Sequence, residues 1–147
     1  MYTIRSWLCV GKYRETLDED HLIASNIGAV LQLAEAITYT HIQALYLPVD
    51  DAIPIPERYI RQGVTFVLQA KVSGQRILIA CGAGISRSAA FAVATLKEVE
   101  GLSLVAALRA VQSAHPESLP HPAVWESLCT YYQEDVPFDE VLRGRHF

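Results

Sequence analysis

The sequence predicts an α/β fold with a mostly parallel central sheet of about four or five strands, flanked by helices on both faces. Three observations support it. Short apolar segments alternate along the chain with longer segments whose apolar residues recur at helical spacing. Residues 77–80 are wholly apolar, which is typical of a strand buried on both faces. The composition, 51% hydrophobic and 19% charged, indicates a substantial core.

In the first half of the chain we expect two short strands, a helix, two more strands and a longer helix. These segments span residues 2–4, 7–10, 18–25, 27–34, 41–49 and 56–71. Thr16 or Asp18 can cap the first helix, and Pro56 opens the second at a position where a missing N–H costs nothing. We expect the strands at 27–34 and 41–49 to lie inside the parallel sheet.

The second half begins with the strand at 77–80 and continues with three helices, at residues 88–100, 103–114 and 121–134. A chain of 147 residues can bury a full core without disulfides or metals. The sequence therefore predicts one domain over residues 1–134. Residues 135–147 are predicted to be a tail or a short extra element, and they include Arg143, Arg145 and His146.

The segment that carries chemistry reads Cys-Gly-Ala-Gly-Ile-Ser-Arg-Ser, from Cys81 to Ser88, at the junction of a predicted strand and a predicted helix. The first turn of a helix leaves backbone N–H groups without partners, and glycines let a loop curl around an anion. The guanidinium of Arg87 can hold two oxygens of a phosphate at once. The predicted anion-binding residues are Gly82, Ala83, Gly84, Ile85, Ser86 and Arg87.

The same surroundings predict that Cys81 is a nucleophile. A free cysteine has a pKa of ~8.5, and backbone amides, a helix N-terminus and a nearby arginine lower that pKa by several units. The alternative is that Cys81 is an ordinary buried cysteine, since free cysteine is among the residues most often found inside proteins.

These residues resemble a known family. The loop is similar to the Cys-x5-Arg-Ser/Thr signature of the protein tyrosine phosphatase superfamily, and its wording is most similar to the dual-specificity branch. The resemblance covers roughly residues 2–133. It implies a protein tyrosine phosphatase-like fold and a phosphomonoesterase that forms a phosphocysteine intermediate. Its implied partner is a phosphorylated protein, with phosphotyrosine and also phosphoserine and phosphothreonine as candidate groups.

The resemblance also assigns roles. Cys81 is the nucleophile, Arg87 holds the phosphate, and the hydroxyl of Ser88 bonds the thiolate and helps it leave in the second step. Asp51 fits the family's Pro-Val-x-Asp placement for the general acid, and Asp50 is the alternative.

Two residues depart from the family's pattern. Ala80 stands immediately before the cysteine, where most relatives have histidine, and Gln32 stands where relatives often have asparagine. The first departure motivates an alternative function, a catalytically weak pseudophosphatase module that binds phosphate. A rhodanese-like sulfurtransferase is a third candidate. Against it stand the five-residue spacing between Cys81 and Arg87, the Ser88 hydroxyl and the upstream aspartate.

Other classes are disfavoured by the composition. A net charge of -4 gives no support to nucleic-acid binding, and no apolar run reaches the ~18 residues of a membrane span. The five histidines do not cluster, so we expect no metal and no cofactor. Three widely spaced cysteines fit a reducing compartment, and we expect a cytoplasmic monomer. Cys9 and Cys129 are interpreted as core residues, either of which could pair with Cys81 under oxidation.

Overall fold

The computed structural model describes residues 1–143 and confirms the predicted fold class. A five-stranded sheet has the strand order β1-β2-β5-β3-β4, and every neighbouring pair is parallel except β1 with β2. The strands are β1 (Tyr2–Arg5), β2 (Leu8–Lys12), β3 (Ile27–Gln32), β4 (Gln43–Tyr46) and β5 (Arg76–Cys81). The helices are α1 (Glu19–Ala24), α2 (Glu57–Val72), α3 (Arg87–Glu100), α4 (Leu104–Ala114), α5 (Pro122–Tyr132) and α6 (Phe138–Leu142).

The central strand β5 divides two cores of different size. Its alternate residues point to opposite faces, so Ile77 and Ile79 join the large core that α2 to α5 cover. Leu78 and Ala80 join a smaller core on the other face, together with Leu22 of α1. This two-sided burial confirms that residues 77–80 form a strand covered on both faces.

Parallel pairing brings the carboxyl ends of four strands, β2, β5, β3 and β4, to the same end of the sheet. In the register of these strands, Cys81 lies opposite Lys12 of β2, and Ala80 lies opposite Gln32 of β3. Functional sites of open parallel sheets lie at the carboxyl ends of the strands. The fold therefore places the cysteine loop where a site is expected.

Strand β4 differs from the prediction. It forms an edge of the sheet rather than an interior strand, and three of its four residues are exposed. The prediction was wrong because the apolar pattern of residues 41–49 comes largely from residues beyond the end of the strand. Leu47 and Val49, in the segment between β4 and α2, are buried in the large core, whereas Leu45 is only half-buried.

The part of the predicted tail that the structure describes, residues 135–143, packs on the domain. The indole N–H of Trp125 donates to the carbonyl of Val136 at 2.9 Å, and Val141 of α6 is fully buried. Arg109 donates to the carbonyls of Val141 and Arg143 at 2.9 and 2.8 Å. Two residues named in the prediction, Arg145 and His146, lie outside the described residues. Across residues 1–143, the helices fall short of the length and apolar character that a bilayer-spanning segment needs.

Candidate active site

The cysteine loop joins β5 to α3, and glycine is required at one of its positions. Gly84 has φ +71°, and a Cβ built there would lie 2.9 Å from the carbonyl oxygen of Gly11 on β2. Any side chain at residue 84 would be both strained and too close to this backbone. The absence of a Cβ therefore lets the loop curl tightly against the end of β2.

The backbone N–H groups of residues 82–87 donate to no acceptor within residues 1–143. The first hydrogen bond of α3 is donated by Ala90 to the carbonyl of Ser86 at 3.0 Å. The first turn of α3 carries no acidic residue that would offset the positive end of the helix dipole. A run of donors without acceptors at a helix N-terminus is the usual structural basis of an oxyanion site.

Cys81 is almost fully buried, and within residues 1–143 its sulfur makes two hydrogen bonds, both with Ser88. The Ser88 backbone N–H donates to Sγ at 3.4 Å. In the thiol form, Sγ donates to Oγ of Ser88 at 3.3 Å; in the thiolate form, the hydroxyl would be the donor. Because Ser88 is completely buried, its hydroxyl is held beside the sulfur rather than in solvent. The predicted proximity of these two side chains is therefore present.

The other two cysteines are placed apart from the loop. The side chain of Cys9 belongs to the small core, on the opposite face of the sheet from Cys81. Cys129 lies on α5, and its thiol donates to the carbonyl of Val136 at 3.6 Å. Burial raises the pKa of the Cys129 thiol. All three thiols are free. A disulfide between Cys9 and Cys81 would require one side chain to cross the sheet, so this fold gives no support to that pairing.

Arg87 is fixed by one nitrogen and leaves the others available. Its Nη1 donates to the carbonyl oxygens of Leu33 and Val49, at 3.1 and 2.7 Å. Within residues 1–143, Nε and Nη2 have no hydrogen-bond acceptor. A Cβ at Gly82 would lie 3.2 Å from Nη2, so a larger residue there would crowd the guanidinium. Nε and Nη2 are thus available as a pair of parallel donors, the arrangement with which a guanidinium can hold two oxygens of a phosphate.

The loop is also held from outside by the segment that leads into α5. The backbone N–H of Leu119 donates to the carbonyl of Ile85 at 3.1 Å, and that of His121 donates to Oγ of Ser86 at 2.9 Å. Sequence reasoning assigned His121 only a helix start and missed this contact. The two histidine–proline pairs that bracket residues 115–122 were the only available signal that this segment is rigid.

Residues 115–121 are called the bracing segment here. Contacts made by His115 and Ser118 stabilise it. The His115 ring is buried, stacks on Tyr2 at 3.8 Å between centroids, and its Nδ1 lies 2.9 Å from Oγ of the buried Ser118. Burial lowers the pKa of His115, and the positive charges of Lys12 and the N-terminus lower it further. The carboxylate of Glu117 opposes these effects.

The candidate acids lie on a separate loop that Arg87 also contacts. Val49, whose carbonyl accepts from Arg87, is followed directly by Asp50 and Asp51, and both aspartates are exposed. One carboxylate oxygen of Asp51 accepts from the backbone N–H of Ala52 at 2.9 Å, in a turn where Ala52 has φ +60°. Asp50 makes no hydrogen bond within residues 1–143. The choice of Asp51 over Asp50 stays a prediction.

The two residues that depart from the family's pattern lie next to each other on adjacent strands. Ala80 and Gln32 are register partners on β5 and β3, and both are buried. The Ala80 carbonyl accepts from the backbone N–H of Leu33 at 2.9 Å, and the Gln32 amide donates to the carbonyl of Ile37 at 2.8 Å. These bonds fix the segment whose Leu33 carbonyl holds Arg87.

No group of three His, Cys, Asp or Glu side chains within residues 1–143 has the arrangement of a metal site.

Comparison with known proteins agrees with this geometry. The family profile described as "Dual specificity phosphatase, catalytic domain" matches residues 8–134. The chain belongs to the dual specificity phosphatase family. It is therefore a hydrolase of the cysteine-based protein phosphatase type, and phosphoproteins are its class of substrate. The predicted membership of the dual-specificity branch is thus confirmed.

Individual relatives cover nearly the whole chain. Mouse dual specificity protein phosphatase 19 is 27% identical over 152 residues, which are 96% of this chain and 69% of that protein. Zebrafish dual specificity protein phosphatase 22-B is 30% identical over 147 residues, covering 95% of this chain and 78% of its own. The crystal structure of human DUSP28 superposes with a TM-score of 0.83 and 25% identity, covering 90% of this chain and 96% of that one.

Proposed function

We propose that this phosphatase hydrolyses phosphotyrosine in proteins through a phosphocysteine at Cys81, with phosphoserine and phosphothreonine as further substrates. The observation that carries this proposal is the run of N–H donors without acceptors at residues 82–87, which directly follows the buried sulfur of Cys81. Together with Nε and Nη2 of Arg87, these donors supply enough hydrogen bonds for a phosphoryl group's oxygens.

In the first step, the Cys81 thiolate attacks phosphorus, so that an S–P bond forms and the bond to the leaving oxygen breaks. The leaving oxygen takes a proton from the carboxyl group of Asp51, for which Asp50 is the alternative donor. The charge that develops on the phosphoryl oxygens is stabilised by the loop amides and by Arg87. Because these donors are already in position, little reorganisation is needed during the reaction.

In the second step, a water molecule attacks the phosphocysteine, and the aspartate carboxylate takes the proton from that water. The S–P bond breaks, inorganic phosphate is released, and Cys81 returns to the thiolate. Ser88 assists here, because its buried hydroxyl lies 3.3 Å from Sγ and can donate to the departing sulfur. Arg87 keeps the same contacts through both steps.

The loop composition favours a singly phosphorylated substrate. Residues 82–86 carry no basic side chain, so the guanidinium of Arg87 is the one cationic side chain of the loop. Ligands with several phosphates would need additional charges there. A phosphorylated protein side chain, with one dianionic group, matches the donors that the loop provides.

The test compares wild type with Cys81→Ser, using an aryl phosphate as substrate and thiosulfate sulfurtransfer as the alternative reaction. We expect wild type to release phosphate and Cys81→Ser to lose at least ~10³-fold in turnover, because serine is not ionised at neutral pH. Cys129→Ser is the matched control and should keep its activity. A phosphopeptide bound without phosphate release would instead indicate the pseudophosphatase, and sulfur transfer would indicate the rhodanese-like function.

A reducing, cytoplasmic location is the accompanying proposal. It is supported by the three free thiols. Fractionation of cells expressing the protein provides the test, since recovery from an oxidising compartment with the thiols paired would contradict it.

A further inference from the structure

Strand β4 forms an exposed edge of the sheet. The N–H of Leu47 donates to the carbonyl of Gln32 at 2.9 Å, so Leu45 and Leu47 direct their backbone groups toward β3. In a strand the alternate residues face the other way. The N–H and C=O groups of Ala44 and Tyr46 therefore point away from the sheet, and both residues are exposed.

A groove runs beside this edge. Helix α2 packs over β3 and β5 rather than over β4, and this leaves a groove of about 620 Å³ between the helix and the edge strand. The strand side of the groove consists of Leu45, Tyr46, Leu47 and Pro48. The helix side consists of Tyr59, Arg61, Gln62, Thr65, Phe66 and Gln69, of which the two aromatic residues are half-buried. An edge strand beside a helix is the arrangement to which extended peptides add as a further strand.

The charges at this groove have one sign. Arg61 lines it, and the Arg58 guanidinium lies 4.6 Å from the centre of the Tyr59 ring. Within residues 1–143, neither arginine is within ion-pair distance of a carboxylate. No acidic residue lines the groove. Two unpaired guanidinium groups on a chain of net charge -4 make this surface complementary to an acidic segment.

The groove and the site are connected by a short stretch of chain. The chain leaves β4 at Tyr46 and reaches Val49, whose carbonyl is held by Arg87, within three residues. In register, Tyr46 lies opposite Gln32, which lies opposite Ala80. A strand added outside β4 would be three strand spacings, or about 14 Å, from β5. A peptide needs about five extended residues to cover that distance.

We propose that the groove between β4 and α2 binds an extended acidic segment of the phosphoprotein substrate by strand addition, about five or more residues from the phosphorylated side chain. The proposal rests on the proposed function for its substrate class. Main-chain hydrogen bonds to Ala44 and Tyr46 give the segment its position, and every second side chain of the segment then faces α2 across the groove. Carboxylates at these α2-facing positions pair with Arg61 and Arg58, so the groove selects substrates by sequence while the loop at Cys81 binds only the phosphoryl group.

The experiment measures binding of labelled synthetic phosphotyrosine peptides to the Cys81→Ser protein by fluorescence anisotropy. One peptide pair carries the segment Glu-Leu-Glu-Leu six residues before or after the phosphotyrosine. A second pair carries Gln-Leu-Gln-Leu at the same places. We expect one acidic peptide to bind about fivefold more tightly than its glutamine partner at low salt, since a partly exposed ion pair contributes about 1 kcal/mol. That preference should shrink as salt is added.

Two substitutions on α2 provide the matched comparison, each in the Cys81→Ser protein. Arg61→Gln should remove the preference for the acidic peptide, whereas Lys71→Gln, at the other end of the same helix, should keep it. Ala44→Pro removes an outward N–H and should weaken binding of the acidic peptide with little effect on hydrolysis of a small aryl phosphate when Cys81 is intact. Equal binding of the acidic and glutamine peptides would overturn the proposal, as would equal effects of Arg61→Gln and Lys71→Gln.

These readouts separate the docking proposal from the proposed function. Peptide binding is measured without turnover, so a failure of wild type to hydrolyse aryl phosphates would contradict the function and leave the docking result intact. Conversely, full hydrolysis of aryl phosphates with no preference among the peptides would overturn the docking surface alone.

Discussion

The two loops that meet at Arg87 are built in opposite ways. The cysteine loop, residues 81–88, is buried at both ends and held by the bracing segment through bonds to Ile85 and Ser86. The acid loop, residues 49–56, is largely exposed. Its anchors are the Val49 carbonyl, bonded to Arg87, and the Ile55 N–H, which donates to Oγ of Ser127 at 2.8 Å.

The difference in exposure and anchoring fits the different tasks proposed for the two loops. A phosphoryl group needs donors that are fixed before it arrives, so the cysteine loop has its geometry set by packing and backbone bonds. A general acid must reach leaving groups of different shape, and an exposed loop held at its two ends allows that adjustment. We therefore expect substitutions in the cysteine loop to act on all substrates, and those in the acid loop to depend on the leaving group.

Among substitutions that test this comparison of the two loops, the largest effect is expected for Arg87→Lys, where the loops meet. Lysine has a single ammonium group and cannot bond two carbonyls while also presenting paired donors to phosphate. We expect kcat/KM for an aryl phosphate to fall by ~10²–10³-fold, as for removal of an oxyanion donor. Arg61→Lys, outside the site, should leave this rate unchanged. A loss below tenfold for Arg87→Lys would show that the guanidinium does not hold the phosphoryl group.

The next effect distinguishes the two acids. Asp51→Asn should reduce hydrolysis of phenyl phosphate by about 10²-fold and that of p-nitrophenyl phosphate much less, because a good leaving group needs little protonation. Asp50→Asn is the matched control. Steady-state rates on both substrates give the answer. If Asp50→Asn shows the larger dependence, the roles are exchanged, and if neither variant loses tenfold, the acid lies elsewhere.

A smaller effect tests the fixed geometry of the cysteine loop. Gly84→Ala and Gly74→Ala both place a Cβ at positive φ, but Gly74 has nothing within 4 Å, whereas Gly84 faces the Gly11 carbonyl at 2.9 Å. We expect Gly74→Ala to cost about 1 kcal/mol of unfolding free energy, and Gly84→Ala about 1–3 kcal/mol more. Urea unfolding measures both values. Equal costs would mean that the loop does not depend on this close approach.

The smallest effect concerns the bracing segment. Burial lowers the pKa of His115 below 6.5, so the unfolded chain binds a proton more readily than the folded one. The stability that neutral His115 provides is complete above about pH 7.5 and decreases as the pH falls through 6.5. Unfolding at several pH values should show this decrease in wild type and in His21→Gln, an exposed control. His115→Gln should show a weaker decrease; an identical decrease would contradict the assignment.

The cysteine loop could be predicted from the sequence because its functional residues are close together along the chain. Cys81, the glycines, Arg87 and Ser88 lie within one strand–loop–helix junction, so their spacing determines their geometry. Gly84 has the positive φ and the close backbone contact that only glycine accepts, although Gly82 acts through its distance from Arg87 instead. The central strand β5 could also be predicted, because its apolar run is too short for a helix and ends at a loop that contains glycines.

The features that the sequence could not predict depend on residues that are distant along the chain. The bond from His121 to Ser86 spans 35 residues, and the bond from Arg87 to Leu33 spans 54. The edge position of β4 depends on strand order, which a short apolar segment does not determine. The acid remains undecided between Asp50 and Asp51 because exposed carboxylates leave no packing pattern in the sequence.

In the proposed mechanism, Cys81 carries the phosphoryl group between substrate and water. Rapid acid quench during turnover of an aryl phosphate, followed by peptide mass spectrometry, tests it directly. We predict one phosphoryl group on the peptide that contains Cys81, with a larger trapped fraction in Ser88→Ala because the sulfur then leaves more slowly. Phosphate release with no phosphorylated Cys81 at any quench time, in either protein, would contradict the account.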